Sequence, residues 1–272
     1  MKRVIALVMA VLMLGVLFVG CSQQTVDPQD DGQGEVNTPL ISGPEDLAGK
    51  KIGVQEGTTG DIYVTDEIEG SQVFRFKSGV TAAMDLKNGM IDAIVLDSLP
   101  AQRIVEQNPD LMILDEALTV EEYAIAVRKE DTELLANINA AIAAMKADGT
   151  YDALRAMYMP DDGEEVVPNV LTFEEMPEKL VMGTNSAFEP FEYKNDEGAI
   201  VGFDIEMANY IALAMGKQLV ISDMNFDALI AALQTKAIDM IVAGMTATEE
   251  RRESVNFSDP YFNSTQVIIV KK

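Results

Sequence analysis

Histidine and tryptophan are absent from this chain of 272 residues, and cysteine occurs once. Without histidine, neither a His-dependent catalytic triad nor a His-ligated zinc site can be built. A lone cysteine excludes an internal disulfide. Cationic residues are scarce too: 20 Lys and Arg stand against 45 Asp and Glu, a formal net charge of -25. Nucleic-acid phosphates demand clustered Lys and Arg, so that partner class is set aside. Nothing in the sequence asks for a cofactor or a metal. What is present is ordinary globular composition, 48% hydrophobic and 24% charged, enough for one large domain or two modest ones.

The longest apolar run, residues 4–19, follows Lys2 and Arg3 and leads into Gly20-Cys21-Ser22. A basic start, an apolar stretch and a small residue at a cleavage point read as a secretory signal over 1–20. The run is short for a membrane-spanning helix. "LFVGC" resembles the lipobox of bacterial lipoproteins, with Phe18 where Leu is usual. That resemblance implies lipidation of Cys21 and a chain tethered outside the cytoplasmic membrane, in the periplasm or at the cell surface. An uncleaved signal anchor is the alternative. Residues 21–43 are rich in Gln, Asp, Gly, Pro and Thr and read as a flexible tether.

Two blocks of similar grammar follow. In the first, 44–159, a short strand over 51–55 runs into a Gly-Thr-Thr loop and a helix start. Helical spacing over 80–86 stops at Asn88-Gly89. "IDAIVLD" is an apolar run that suits a buried parallel strand, with Asp97 at its carboxyl end. A strand over 123–128 and two helices broken at Asp148-Gly149 complete the block, with Thr150 as the expected cap of the second helix. Residues 160–177, acidic and carrying three prolines, read as a linker. The second block, 178–272, has a strand and aromatic loop, a helix ending at Gly216, the apolar run "IDMIVAG", another helix and the closing strand "TQVIIVKK". Alternation of this kind implies an α/β fold of parallel sheets covered by helices, with ligands beyond the carboxyl ends of the strands. The loops there are "QEGTTGD", "LDSLP", "NSAFEPF", "MNFD" and "AGMTATEERR".

These stretches, with "GFDIEMANYIA" and "RRESVNFSDPYF", resemble the extracellular solute-binding proteins of ABC importers, polar amino-acid class, over nearly everything from Pro44 onward. The resemblance implies two α/β lobes joined by a two-strand hinge, closing on one amino acid that is passed to a permease. The order of the lobes is reversed relative to the family: the "GMTATEERR" lobe follows the "VQEGTTGD" lobe. Circular permutation is one explanation and a truncated tandem protein the other.

Residue by residue, the resemblance gives Arg251 the ligand carboxylate, completed by Thr246 and the Gly244 backbone from one lobe and Thr58 and Thr59 from the other. A guanidinium near a helix start suits that task on physical grounds as well. Its neighbour Arg252 reads as a solvated helix charge paired with Glu249 or Glu250. Asp97 takes the ligand ammonium, or else caps the following helix. Phe188 and Phe226 sandwich the aliphatic part, unless they are plain core, and Phe191 belongs to the core or rim. Asn185 and Gln55 read the side chain, which favours glutamine; Glu189 or Glu56 would instead meet a guanidinium, which keeps arginine open. The competing functions are a dehydratase-type enzyme, using Glu189 or Asp97 as acid or base, and a ligand-sensing module for a membrane receptor.

Overall fold

The computed structural model describes residues 41–160 and 176–272. The signal segment, Cys21, most of the tether and most of the expected linker lie outside the described residues. The described residues belong to one compact unit.

In the first lobe, Ile41, the first described residue, and Leu47 are buried with strand residues Ile52, Val54 and Val270. Strand β1 (Lys51–Gln55) is buried from Ile52 onward, as a strand covered on both faces must be. Helix α1 (Thr59–Glu67) is capped by the Thr58 hydroxyl, which accepts from the Asp61 N–H. Strand β2 (Gln72–Phe76) follows. Helix α2 (Gly79–Lys87) is capped by Ser78 and ends at Asn88-Gly89, with Gly89 in the left-handed region. Strand β3 (Ala93–Asp97) is buried throughout, as its unbroken apolar run requires. Helix α3 (Ser98–Gln107) and strand β4 (Leu111–Ile113) complete this part.

The chain then crosses to the second lobe through β5 (Glu121–Tyr123) and enters its sheet as β6 (Ala126–Val127). Helices α4 (Thr132–Asp148) and α5 (Thr150–Tyr158) pack on that lobe. After the undescribed segment come β7 (Lys179–Thr184), the small β8 (Ala187–Phe188), β9 (Glu192–Lys194) and β10 (Ile200–Val201) meander, α6 (Phe203–Ala214) and β11 (Gln218–Asp223). Then follow α7 (Leu229–Gln234), β12 (Met240–Ile241), α8 (Glu249–Ser254) and β13 (Asn256–Phe257). Finally β14 (Phe262–Ser264) crosses back and β15 (Gln266–Lys271) ends in the first sheet.

The two five-stranded sheets have the same plan: β2-β1-β3-β15-β4 and β11-β7-β12-β6-β13. In each, the first three strands are parallel. The fourth is antiparallel to both of its neighbours. The sheets are therefore mixed, where all-parallel sheets were expected. Each also takes a strand from the other sequence block: β6 from the first, β15 from the second. The crossing strands β5 and β14 pair antiparallel, Ser264 opposite Glu121 and Phe262 opposite Tyr123, and form the two-strand hinge. Sequence alternation cannot reveal this, because a strand that leaves its own block reverses direction only when it meets its partners.

Two local readings change. The expected strand over 123–128 is split between hinge and sheet. Thr150 is the first helical residue of α5 rather than its cap; Gly149, at φ 85°, makes the break, and the Asp148 carboxylate accepts from the Thr150 N–H at 2.9 Å.

Candidate functional site

The carboxyl ends of β1, β3 and β7, the turn before α7 and the loop after β12 converge on a narrow cleft. All ten residues singled out from the sequence line it, together with Ala243 and Glu192. Four come from the first lobe: Gln55, Thr58, Thr59 and Asp97 face Arg251 and the other second-lobe residues across the gap.

Arg251 is buried beside the start of α8, whose cap Thr248 accepts from the Arg251 N–H. Its guanidinium donates to Thr246 O at 2.7 Å and, across the cleft, to Gly57 O at 2.9 Å. The same group lies 5.4 Å from the ring centre of Phe226, so one face of that ring is already covered. The unshared guanidinium N–H groups stand close to the α1 N-terminus, where the Thr59 and Gly60 N–H groups have no intrahelical acceptor. Together these donors can hold an anion. Arg252 faces outward, 4.0 Å from Glu249.

The threonine hydroxyls are spoken for. Thr58 donates to Gln55 O at 2.8 Å. Thr59 and Thr246 both donate to one oxygen of Glu121, at 2.8 and 2.7 Å. A hydroxyl has one proton to give, so all three enter the cleft region as acceptors.

Acids crowd the same space. Asp97 occupies the cap position of α3 but makes no capping bond; its carboxylate accepts from the Tyr123 hydroxyl instead. Burial, and then the charge of Glu121, push Asp97 up to about 7. Glu192 is buried, and among the described residues neither of its oxygens has a hydrogen-bond donor. Burial and the adjacent Asp204 carboxylate hold it well above the usual carboxylate range. Asp204 accepts from the Gly244 N–H at 2.9 Å and the Tyr261 hydroxyl at 2.8 Å, and burial raises it to about 6. It thereby fixes the loop carrying Gly244, at φ 52°, where an added Cβ would stand 2.7 Å from the Phe188 ring. Only glycine allows that ring so close to the loop.

Gln55 and Asn185 meet each other: Gln55 Nε2 donates to Asn185 Oδ1 at 3.1 Å across the lobes, and Asn185 Nδ2 donates to Met224 O. Phe188 packs on the fully buried Phe191, which is core. Glu56 and Glu189 are engaged outside the cleft, with Lys77 at 2.6 Å and Arg103 at 3.8 Å. Sequence reasoning missed Glu192 and Glu121. The signal for Glu121 was available: it lies two residues from the buried Tyr123 on a strand, hence on the same face. Among the described residues, no group of three or more His, Cys, Asp or Glu side chains is placed to hold a metal ion.

The family described as bacterial extracellular solute-binding proteins, family 3, matches residues 25–161 and 180–272. The arginine-binding extracellular protein ArtP of Bacillus subtilis is 45% identical over 94 residues, 35% of this chain and 36% of that protein. ABC transporter arginine-binding protein 1 of Escherichia coli is 37% identical over 120 residues, 42% of this chain and 49% of that protein. The chain thus spans between about a third and a half of the length of these relatives. The solved arginine-bound form of truncated ArgBP from T. maritima is 52% identical over 31% of this chain and 40% of that one, with a TM-score of 0.31.

Because Asp97 is raised in the folded protein, its protonated form favours folding: that contribution is complete below about pH 4 and is lost as pH rises through about 7. Urea midpoints of the ligand-free wild type, measured relative to Asp97→Asn, should therefore fall across this window. Parallel pH profiles for the two proteins would refute the assignment.

Proposed function

From the premise that the chain belongs to the bacterial extracellular solute-binding proteins, family 3, we propose that it is an extracytoplasmic receptor holding one amino acid with a cationic side chain between its lobes and presenting it to an ABC permease. The observation that carries this is Glu192: a buried carboxyl lining the cleft, whose polar neighbour among the described residues is another carboxyl, Asp204, which can serve it only by sharing a proton. Without a ligand, Glu192 and Asp204 hold a proton between them, as close buried carboxylates do. A ligand cation replaces that proton and supplies several donors at once. The amides that would favour glutamine are turned to each other, which puts arginine first and glutamine second. The arginine-binding names of the B. subtilis and E. coli relatives support the same class. In this reading Arg251 and the α1 N-terminus take the carboxylate, Asp97 the ammonium, and Phe188 with the free face of Phe226 the aliphatic stem.

A second reading rests on the raised carboxyls. Asp97 and Glu192, both raised above the usual carboxylate range by burial, would suit general acid work on a cyclic carboxylic acid. Calorimetry with the twenty amino acids separates the two. One-to-one binding of arginine, weakened about 100-fold or more by Arg251→Ala, and a fall in the arginine-to-glutamine preference in Glu192→Gln, are expected. Turnover of prephenate or arogenate by the wild type would select the enzyme.

The lobe order is read as a circular permutation rather than a truncated tandem. In support, each sheet takes strands from both sequence blocks, and Ile41, Leu47 and Val270 share one apolar cluster, so the first described residues and the last strand are neighbours. A rearranged chain running 176–272 and then 41–160 should bind the same ligand with similar affinity; a rearranged chain that cannot fold would count against permutation.

Tethering through a lipid on Cys21 rests on the "LFVGC" resemblance alone. Palmitate labelling should disappear in Cys21→Ser, and labelling that persists would remove the anchor from this account.

A further inference from the structure

Glu121 sits where both lobes and the hinge meet, yet it does not line the cleft. It is buried on β5 opposite Ser264. One oxygen receives the Thr59 hydroxyl from the first lobe and the Thr246 hydroxyl from the second, at 2.8 and 2.7 Å. The other receives the Thr119 hydroxyl at 2.9 Å. Gln266 Nε2 lies 3.4 Å from the shared oxygen and 3.2 Å from Thr59 Oγ1, so it supports the same arrangement from β15. Gln266 is also the register partner of Asp97, which places the two acids side by side.

A carboxylate accepts and never donates. Two threonines that give their only hydroxyl protons to it can show the cleft nothing but lone pairs. We propose that Glu121 is a positioning residue that fixes the hydroxyls of Thr59 and Thr246 as acceptors, and so dedicates this edge of the cleft, beside Asp97, to the ammonium group of the ligand. The inference rests on the reading above that the ligand is an α-amino acid. It reassigns the two hydroxyls: they do not bind the ligand carboxylate, which is left to Arg251 and backbone N–H groups. It also gives the cleft a sense of direction, with donors at one edge and acceptors at the other. An amino acid then fits in one orientation only. Because the two hydroxyls come from opposite lobes, the acceptor edge is complete only when both lobes reach the hinge carboxylate.

The test uses Glu121→Leu, which is of similar size but removes both acceptor oxygens, so that neither the Thr59 nor the Thr246 hydroxyl proton is held away from the cleft. Affinities are measured for arginine and for its α-hydroxy analogue, which keeps the carboxylate and guanidinium but has no ammonium. Glutamine and its α-hydroxy analogue serve if glutamine is the amino acid that binds. The wild type should prefer the amino acid, and the variant should lose about 10-fold of that preference, the scale of one hydrogen bond to a charged group. Equal weakening of both ligands would make Glu121 a mere latch and overturn the proposal, as would no change in either. A wild type that binds no amino acid would instead sink the underlying ligand reading. In the ligand-free wild type, the Thr59 and Thr246 hydroxyl protons should be protected enough to appear as resolved NMR signals. Free exchange of both would overturn the proposal even if Glu121→Leu fails to fold.

Discussion

Buried negative charge without a matching cation is the constraint on which this cleft depends. Asp97, Glu121, Glu192 and Asp204 are all buried around it, and Arg251 is the guanidinium that lines it. Removing a carboxylate from water is costly unless donors replace the water. The four acids are served very unequally. Glu121 has three hydroxyl donors and an amide nearby. Asp204 has a backbone N–H and a tyrosine hydroxyl. Asp97 has chiefly the Tyr123 hydroxyl, and Glu192 has no donor among the described residues. The gradient separates structural acids from those left for something outside the protein. Arg251 acts on Glu121 and Asp97 through its charge, while two of its donors are spent on Thr246 O and Gly57 O.

The fold delivers this arrangement through its crossings. Glu121 and Tyr123 lie on β5, Ser264 on β14 and Gln266 at the start of β15. These are the residues that hand protons to, or accept them from, Asp97 and the clamp threonines. The hinge is therefore more than a pair of connecting strands: it is a polar floor beneath the side chains that line the cleft. Inserting an antiparallel strand from the other block into each sheet is what brings that floor under the carboxyl ends of β1 and β3.

Much of this was legible in the sequence, and the rest was not for identifiable reasons. The buried run ending at Asp97 declared a covered strand. Asp148-Gly149 declared a helix break, and the loops after the apolar runs declared the cleft. Those signals are local: an unbroken apolar stretch, a left-handed glycine, a cation beside a helix start. What escaped depends on partners far away in the chain. Glu192 sits between two aromatics and looks like the polar face of a strand, but the meander of β8, β9 and β10 turns it inward against Asp204. Gln55 and Asn185 looked like two independent readers of a side chain, and only the approach of the lobes pairs them. The mixed sheets escaped because direction is fixed by the hinge and not by the strand's own residues.

The contacts that join the lobes across the cleft are few and of unequal worth. Lys77 reaches Asp227 at 3.2 Å, but both side chains are well exposed, and such pairs contribute little. The Gln55–Asn185 bond and the Arg251 bond to Gly57 O are better shielded. Each exchanges a hydrogen bond to water for one within the protein, so its net worth is about 1 kcal/mol. Against them stands the cost of enclosing Glu192 and Asp97, which in so dry a space must either carry poorly stabilised charge or take up a proton. A bound cation changes the sign of that cost, because the same low dielectric that penalises a lone carboxylate strengthens a paired one. Lobe approach and cation capture are thus one equilibrium. The acids that make the empty cleft unfavourable are those that make the filled one stable.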